Sequence, residues 1–494
     1  VAKLSVDARR GKPVLVYTMA VTLKDEGEES ALAGASPCVC FTRPPVFQFP
    51  TGHTPLTHRP VVVGLGPAGL FAALLLARSG YRPLVLERGP DLDRRVQAVQ
   101  RFEATGELDE NANIQFGEGG AGTFSDGKLN TAVKDATGRN TFVLKTFVEF
   151  GAPEEILWLN KPHIGTDLLR EVIKNIRKEI LRLGGDVRFE AQVTDFEIQK
   201  GQLRALIING AERLECEAAV LAIGHSARDT FALLKKRQFS MSPKAFAVGV
   251  RMEHPQHLID QLQYHNPKGR GEYLPAAEYS FVAQVNGRGV YSFCMCPGGF
   301  VVPAASGPNQ IVVNGMSPSN RGSVWANSGM VVEIRPEDID QYSRYGVLSG
   351  IKFQEELEYQ CYVNGNCKQT APAQRMTDFV NKKVSFDLPK SSYTPGVISS
   401  PLHFWMPEFI TSRLREGFSY FGKISKGFLT REALMIGVET RTSSPVRIPR
   451  YKENMQHVRI KGLYPCGEGA GYAGGIVSAA IDGERCAEAA AQYM

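Results

Sequence analysis

The stretch PVVVGLGPAGLFAALLLARSG, residues 60–80, decides the fold of this chain. An apolar run typical of a buried strand leads into Gly64-x-Gly66-x-x-Gly69, and a helical pattern follows that ends at Gly80. In such a turn Gly64 permits a sharp bend, Gly66 lets the backbone approach a pyrophosphate, and Gly69 lets the helix pack closely on the strand. The N–H groups that open the helix are then available to phosphates.

The strand that follows, RPLVLERG, ends in an acid about 20 residues after the first glycine, where a carboxylate accepts the hydroxyls of a ribose. An acid at this position favours a free ribose 2′-hydroxyl over a 2′-phosphate. The alternative is that the glycines serve only tight packing. Because strand, turn, helix, second strand and acid all occur together, we predict a dinucleotide site formed by Gly64, Gly66, Ala68, Gly69, Glu87 and Arg88.

Alternating strand and helix patterns continue to about residue 238, which indicates a doubly wound parallel sheet. Residues 239–447 instead read as antiparallel strands with hairpin turns, such as VYSFCMCP, followed by helical and irregular segments. The α/β pattern then resumes. We therefore predict an α/β protein in which a Rossmann-like FAD-binding domain (58–238 and 448–494) is interrupted by a β-rich α+β substrate domain (239–447). Residues 1–57, with a predicted strand pair, form an N-terminal appendage and linker.

The C-terminal segment GLYPCGEGAGYAGGIVSAAIDG, residues 462–483, identifies the dinucleotide. A strand ends at Gly467-Glu468, and the helix after it begins among glycines. A flat ring system with a polar edge needs bare backbone to lie against, and N–H dipoles to meet developing negative charge. An isoalloxazine fits this description better than a nicotinamide, so we predict FAD.

From residue 58 onwards the chain resembles FAD-dependent oxidoreductases of the glutathione-reductase-type FAD-binding fold, most closely the bacterial and plastid group described as "NAD(FAD)-utilising dehydrogenases". The motifs that carry the resemblance include NIQFGEGGAGTFSDGKLNT, AVLAIGHSARDTF, SFCMCPGGFVVPAASG and GVETRTSSPVRI. The resemblance implies that the pyrophosphate, adenine, ribitol and flavin contact Gly122, Thr123, Asp126, Lys128, Val193, Gly224, Gly467, Glu468, Gly475 and Ile476. Glu468 stands where these proteins generally have Asp.

Candidate catalytic residues are Cys296, His163 and Arg441. Cys296 follows Cys294 in SFCMCPGG, where a thiol could be delivered beside the flavin, although alternating cysteines also pack as small apolar groups. His163, like His225, stands at a strand end where a general base would be useful, and either could instead satisfy backbone groups. Arg441 could clamp a substrate anion or form an Arg–Glu pair between domains.

These observations predict an FAD-dependent oxidoreductase, a dehydrogenase or reductase, that moves a hydride or two electrons between FAD and a small organic substrate. The sequence shows neither a second GxGxxG placed between a strand and a helix, as an NAD(P)H domain would need, nor a CxxxxC after the first helix, so electrons are expected from the substrate, from NAD(P)H bound transiently, or from a partner protein. Two alternatives remain open: a flavoprotein of tRNA modification, and a non-catalytic FAD-binding protein that senses redox state.

The composition of the chain limits the classes of partner and compartment that are expected. A net charge of +6 with scattered basic residues does not indicate a nucleic-acid surface, so nucleic acid is not expected as a partner. Nine cysteines without CxxC repeats predict neither a disulfide framework nor a metal site and favour a reducing compartment, either the cytoplasm or a plastid stroma. The first residues show no apolar signal segment. The longest apolar run, Val61–Ala77, is too short to span a bilayer, so a soluble protein is expected.

Overall fold

The computed structural model describes residues 1–9, 12–21, 23, 28, 47–50, 57–133 and 136–493. Strands β1 (Lys3–Asp7) and β2 (Val14–Thr18) form the predicted N-terminal pair and are antiparallel. Most of the predicted linker, including Cys38 and Cys40, lies outside the described residues.

Residues 57–238 combine strands with helices, and the last five of these strands follow one another before the final helix. The strands are β3 (Val61–Val63), β4 (Leu84–Leu86), β5 (Asp186–Arg188), β6 (Val193–Gln199), β7 (Gln202–Ile208), β8 (Glu212–Glu215) and β9 (Ala219–Leu221). The helices are α1 (Pro67–Arg78), α2 (Leu92–Thr105), α3 (Arg139–Glu149), α4 (Thr166–Arg182) and α5 (Arg228–Lys236), with 3₁₀ turns at Ala121–Phe124 and Glu154–Leu157.

Residues 239–447 are rich in strands, and the chain after them adds one more strand and a long helix. The strands are β10 (Ser242–Pro243), β11 (Phe246–Pro255), β12 (Val282–Val285), β13 (Arg288–Cys296), β14 (Phe300–Pro303), β15 (Val313–Met316), β16 (Trp325–Ile334), β17 (Ala371–Arg375), β18 (Val397–Ser399), β19 (Leu434–Glu439), β20 (Val446–Arg447) and β21 (Leu463–Pro465). The helices are α6 (Gln256–Tyr264), α7 (Ser349–Asn364), α8 (Met376–Val380), α9 (Leu402–Trp405), α10 (Glu408–Ile424) and α11 (Ile476–Tyr493), with a 3₁₀ segment at Pro336–Leu348.

A parallel sheet in the order β21-β9-β3-β4-β5 forms the centre of the first part of the fold. Helix α1 is apolar on all its faces, and its residues from Ala68 to Ala77 are buried, so it lies inside the core. Helix α11 packs against α1, and Gly483 marks their closest approach, because a Cβ there would lie 2.1 Å from the carbonyl oxygen of Ala68. The α/β class with a parallel sheet is therefore confirmed.

A second, largely antiparallel sheet in the order β12-β13-β16-β11-β19-β17-β18 organises the β-rich part. Its long central strands, β11 and β16, pair over their whole length, and helices α7 and α10 pack against the sheet. The segment enters and leaves at adjacent places, since β10 pairs with β20. This agrees with an insertion, although the exact boundaries at residues 238/239 and 447/448 stay a prediction.

Among the residues that the structure describes, no helix combines the length and the apolar character needed to cross a membrane.

Candidate cofactor cleft

The first glycine turn, residues 64–69, joins β3 to α1. Gly64 has φ +95°, and a Cβ there would lie 2.4 Å from the carbonyl oxygen of Ala222 on the neighbouring strand. A Cβ on Gly69 would lie 1.9 Å from the oxygen of Gly64. Gly66 caps α1 and Pro67 follows it, while no side chain fills the cap position. The first N–H groups of the helix therefore remain open to an anion, as the sequence predicts.

Glu87, at the end of β4, is tied into this turn. Its carboxylate accepts the N–H of Leu65 at 3.0 Å and that of Gly89 at 2.8 Å, and the residue is only 3% exposed. Each carboxylate oxygen has two lone-pair sites, so these bonds leave acceptor capacity for hydroxyl groups. Glu87 thus fixes the turn and can still serve as the predicted ribose acceptor.

A glycine-rich loop, residues 117–128, lies against the first glycine turn. Gly119 donates its N–H to the oxygen of Leu65 at 2.8 Å, and a Cβ on Gly120 would lie 2.8 Å from Pro67. Behind the loop, the fully buried Arg95 donates to the carbonyl oxygens of Asn113, Glu118 and Gly120. Burial lowers the pKa of Arg95 to about 9, although the charges of Glu87 and Glu118 oppose this. No sequence motif points to Arg95, because its partners are backbone atoms.

The C-terminal glycine turn, residues 467–476, closes the third side. Gly467 donates its N–H to Asp482 at 2.7 Å, and a Cβ on Gly469 would lie 2.5 Å from the carbonyl oxygen of Gly224. A Cβ on Gly122 would lie 2.7 Å from the side chain of Ile476. The glycines that interrupt this helical sequence therefore let the three backbone segments meet.

These segments enclose a cleft of about 360 Å³, in the size range of small-molecule sites. The predicted residues that line it are Gly64, Gly66, Ala68, Glu87, Arg88, Gly122, Asp126, Lys128, Val193, Gly224, Gly467, Glu468, Gly475, Ile476 and Arg441. Gly69 and Thr123 are not among the lining residues. Gly69 packs α1 on the turn, and Thr123 is fully buried with its hydroxyl directed at the carbonyl oxygen of Glu118.

Of the candidate catalytic cysteines, Cys294 and not Cys296 lines the cleft. The pairing of β13 with β16 shifts register between Phe293 and Cys296, and Cys294 adopts φ +44°. This bulge directs Cys294 to the cleft, whereas Cys296 is buried. Plain alternation along a strand, as assumed from the sequence, would have given both cysteines the same face.

His163 lies beside the cleft, on a second cavity of about 1090 Å³ that is bounded in part by the N-terminal strands. Its Nε2 is 3.1 Å from the carbonyl oxygen of Ser319. Burial and the charge of Arg321 lower the pKa of His163, so the imidazole is neutral at neutral pH. His225 does line the cleft. Burial, with the charges of Arg441 and Arg228, lowers its pKa to about 3.

Asp126 and Lys128 are charged residues that line the cleft, and Arg321, which binds Asp126, lines the second cavity. Asp126 accepts a bidentate hydrogen bond from Arg321, and Lys128 Nζ lies 3.4 Å from Asp126. Burial opposes ionisation of Asp126, but the charges of Lys128 and Arg321 hold its pKa below the ordinary value. Burial likewise opposes the charge of Lys128, yet Asp126 and the nearby cysteines raise its pKa. Lys128 is therefore a cation at the cleft.

Arg441 reaches the cleft, but each of its three guanidinium nitrogens already makes a hydrogen bond. Its Nε and one terminal nitrogen contact the carboxylate of Glu358 at 2.7 and 3.1 Å, and the other donates to Ser226. Arg228 donates two hydrogen bonds to the same carboxylate, at 2.7 and 2.9 Å. This clamp (Arg228, Glu358 and Arg441) joins the nucleotide-binding part to the inserted part. Of the two interpretations of Arg441, the geometry favours the interdomain pair.

Glu468 lies at the cleft with its side chain 24% exposed, and its Oε2 is 4.0 Å from Nε2 of His225. Burial raises the pKa of Glu468 to about 8, against the opposing charge of Lys244. At neutral pH the carboxyl therefore holds a proton and can donate it in a hydrogen bond. The sequence alone did not predict this, because it depends on how deeply the side chain is enclosed.

Cys466, Asp482 and Cys486 place ligand-type atoms within 4.8 Å of one another behind the C-terminal turn. Arg450 occupies this position. Its guanidinium donates to both carboxylate oxygens of Asp482, at 2.8 and 2.5 Å, and approaches the sulfur of Cys486 at 3.3 Å. A cation is thus already present where a metal ion would have to bind, and the cluster serves to hold the turn.

Comparison with known proteins gives the following matches. Residues 245–442 match the family model described as "FAD-dependent protein, C-terminal domain-like". An uncharacterized protein of Clostridium beijerinckii is 48% identical over 442 residues, which are 89% of this chain and 81% of that protein. Among solved structures, CtdE in complex with FAD is 12% identical, with a TM-score of 0.31, over 83% of this chain and 77% of that one. A geranylgeranyl bacteriochlorophyll reductase-like protein of Thermoplasma acidophilum is 14% identical, with a TM-score of 0.33, over 85% and 74%.

The description of the matched family model confirms FAD as the cofactor. The cleft fits it chemically, since an open helix N-terminus, a glycine-lined wall and an acid beside the turn suit a pyrophosphate, a flat ring and a ribose respectively. The narrower likeness to the glutathione-reductase-type group stays a prediction.

Proposed function

Since the chain belongs to one family with the Clostridium beijerinckii protein and carries an FAD-dependent C-terminal domain, we propose that it is an oxidoreductase, a dehydrogenase or reductase acting on a small organic substrate. Bound FAD supplies the capacity to accept or release a hydride or two electrons. The protein supplies binding, orientation and electrostatics.

One observation carries the proposal: the cleft is walled by both parts of the chain. Its nucleotide end is formed by the first glycine turn and Glu87, and its other end by Phe293, Cys294 and Asn314 of the β-rich part. A cofactor held by the nucleotide-binding part therefore meets side chains of a different domain. A purely structural nucleotide would need no such second wall.

We assign the following roles to the residues of the cleft. Glu87 accepts ribose hydroxyls, and the open N–H groups after Gly66 bind the pyrophosphate. Lys128 balances anionic charge. Glu468, protonated at neutral pH, donates a hydrogen bond to a hydroxyl of the cofactor. His225, kept neutral, neither adds charge nor competes for the anion.

The electron donor follows from what the sequence lacks. A second dinucleotide fingerprint is absent, so we propose that the substrate itself, a nicotinamide bound transiently, or a redox partner protein reduces the flavin.

The test is an anaerobic visible spectrum of the purified protein before and after NADH, then NADPH, then dithionite. We expect a yellow flavin band that dithionite bleaches, and chromatography of the released cofactor that identifies FAD. Bleaching by a nicotinamide would identify a reductase, whereas a band that only dithionite bleaches would assign electron donation to the substrate or a partner and start a metabolite screen. Failure of every metabolite in the screen to change the oxidation state of the flavin would overturn the proposed enzyme, and a colourless protein that FAD does not reconstitute would overturn the cofactor site.

A further inference from the structure

The bulge at the end of β13 brings two thiols together at the wall of the cleft. Cys294 lies where the register shifts, between Phe293 and Cys296, has a left-handed backbone (φ +44°) and is partly exposed at the cleft. A left-handed backbone is uncommon for a residue with a side chain, and such strain clusters at functional sites. Cys296 is buried directly behind it.

The two cysteines share one set of hydrogen bonds. The thiol of Cys296 donates to the carbonyl oxygen of Cys294 at 3.4 Å. A terminal nitrogen of the fully buried Arg251 donates to that same oxygen at 2.6 Å and to the sulfur of Cys296 at 3.2 Å. Arg251 therefore fixes both cysteines and adds a positive charge beside them.

Charged side chains surround the pair. Three cations face this region, namely Arg251, Lys128 and Arg321. Among the described residues, Asp126 and Glu439 form ion pairs with them, and the carboxyl groups of Glu253 and Glu278 also interact with them. Glu278 is paired with Lys161, and His163 is neutral. The hydrogen bond from Cys296 lowers the pKa of Cys294 below its usual value, with the charges of Arg251 and Lys128 acting in the same direction against burial.

We propose that Cys294 and Cys296 are a dithiol–disulfide couple that exchanges with small disulfides at the cleft, with Cys294 as the attacking and Cys296 as the resolving cysteine. The Cys294 thiolate attacks one sulfur of the disulfide RSSR, so that a Cys294–S–SR bond forms, the RS–SR bond breaks and RS⁻ leaves. Cys296 then gives up its proton and attacks Cys294, which forms the internal disulfide and releases the second RS⁻. The protein loses two electrons, and RSSR gains them as RSH and RS⁻.

A disulfide between cysteines separated by one residue closes a small ring, and strained disulfides are the readily reduced, reactive ones. This property suits a couple that opens and closes repeatedly. The inference deepens the proposed function by naming thiols and disulfides as a substrate class, and it rests on that function only for the identity of the cleft.

The experiment equilibrates the FAD-loaded protein anaerobically in a series of glutathione/glutathione disulfide ratios and then alkylates it. Trypsin releases Gly289–Arg321, which contains only these two cysteines. We expect this peptide to be doubly alkylated in reducing buffers. In more oxidising buffers we expect it to be unalkylated, with a mass two hydrogens below that of the unalkylated dithiol peptide. A peptide that stays doubly alkylated at every ratio overturns the proposal.

Single substitutions test which cysteine attacks the disulfide and which one resolves the mixed disulfide. Cys296→Ser is expected to accumulate a mixed disulfide with glutathione at Cys294, whereas Cys294→Ser is expected to leave Cys296 unmodified. Cys367→Ser is the matched control and should behave as the parent, since Cys367 also has a left-handed backbone (φ +53°) but is exposed and outside this cluster. Glutathione on Cys296 but not on Cys294 would contradict the assignment.

The flavin band, recorded on the same samples, shows that each variant is folded. It also separates the two proposals. If no metabolite reduces the flavin but the cysteines exchange, only the proposed enzyme activity is wrong. If a metabolite reduces the flavin but the cysteines do not exchange, only the dithiol–disulfide proposal is wrong.

Discussion

Replacing Glu358 by glutamine should lower the free energy of unfolding more than the removal of any other single charge on α7. Glu358 is fully buried and binds two guanidinium groups, those of Arg228 and Arg441. Burial opposes its ionisation, yet the two arginines lower its pKa from 4.5 to about 2. A shift of this size corresponds to about 3 kcal/mol of stabilisation, and removing one member of a buried ion pair costs about 3–5 kcal/mol. We therefore expect Glu358→Gln to lose about 3 kcal/mol.

The assay is urea denaturation at pH 7 with FAD at a fixed saturating concentration, because ligand binding itself stabilises the folded state. Glu356→Gln, an exposed position on the same helix, is the matched control and should lie within about 0.5 kcal/mol of the parent. The same loss in both variants would refute the reasoning.

The pH dependence gives the second check. The pKa of Glu358 is lower in the folded than in the unfolded chain, so its stabilisation is fully present above pH 4.5 and is lost as the pH falls towards 2. The difference between parent and Glu358→Gln should accordingly shrink across this window. A difference that stays constant would mean that the carboxylate charge is not what holds the clamp.

Three further substitutions test other features. Gly483→Ala should cost about 1–3 kcal/mol in urea denaturation, because its Cβ would lie 2.1 Å from Ala68, whereas Gly474→Ala, which meets nothing within 4 Å, should change little. Glu87→Ala should weaken FAD binding about tenfold or more in a fluorescence titration, because two backbone donors lose their acceptor, and unchanged affinity would contradict its role. Burial raises the pKa of Glu468 to about 8. Its contribution to the stability of the folded state is therefore fully present below pH 4.5 and is lost as the pH rises through 8. Glu468→Gln should therefore gain stability over the parent across that range, and parallel urea curves would disprove it.

The nucleotide-binding part could be predicted from sequence because its determinants are local. Strand, glycine turn, helix and acid follow one another within about 30 residues. The C-terminal glycines could be understood for the same reason, as places where backbone meets backbone. The packing of Gly483 on Ala68 shows that such a glycine can also serve a contact between two helices.

The long central strands of the antiparallel sheet were not predicted from the sequence. Strand β11 carries Arg251 and Glu253, and β16 carries Asn327, all of them buried and all breaking the apolar pattern expected of a central strand. Their partners are remote: Arg251 and Glu439 are 188 residues apart. A pattern read over neighbouring residues contains no information about such pairs.

The sequence could not show which of Cys294 and Cys296 lines the cleft, for a related reason. A bulge depends on how β13 pairs with β16, which a single strand does not reveal. The same holds for the clamp: Arg228 and Glu358 are 130 residues apart, so the sequence leaves both interpretations of Arg441 open.

The edge position of β21 has a consequence for how the protein is made. The ribosome synthesises the first glycine turn, the glycine-rich loop and the whole insertion before it reaches β21 and the C-terminal glycine turn, which complete the cleft. About 400 residues separate the first turn from the last wall. At about 5–20 residues per second, FAD therefore meets an incomplete site for tens of seconds. Firm capture of the vitamin-derived cofactor is therefore a late event of biosynthesis, and nascent chains stalled before residue 463 should be released without it.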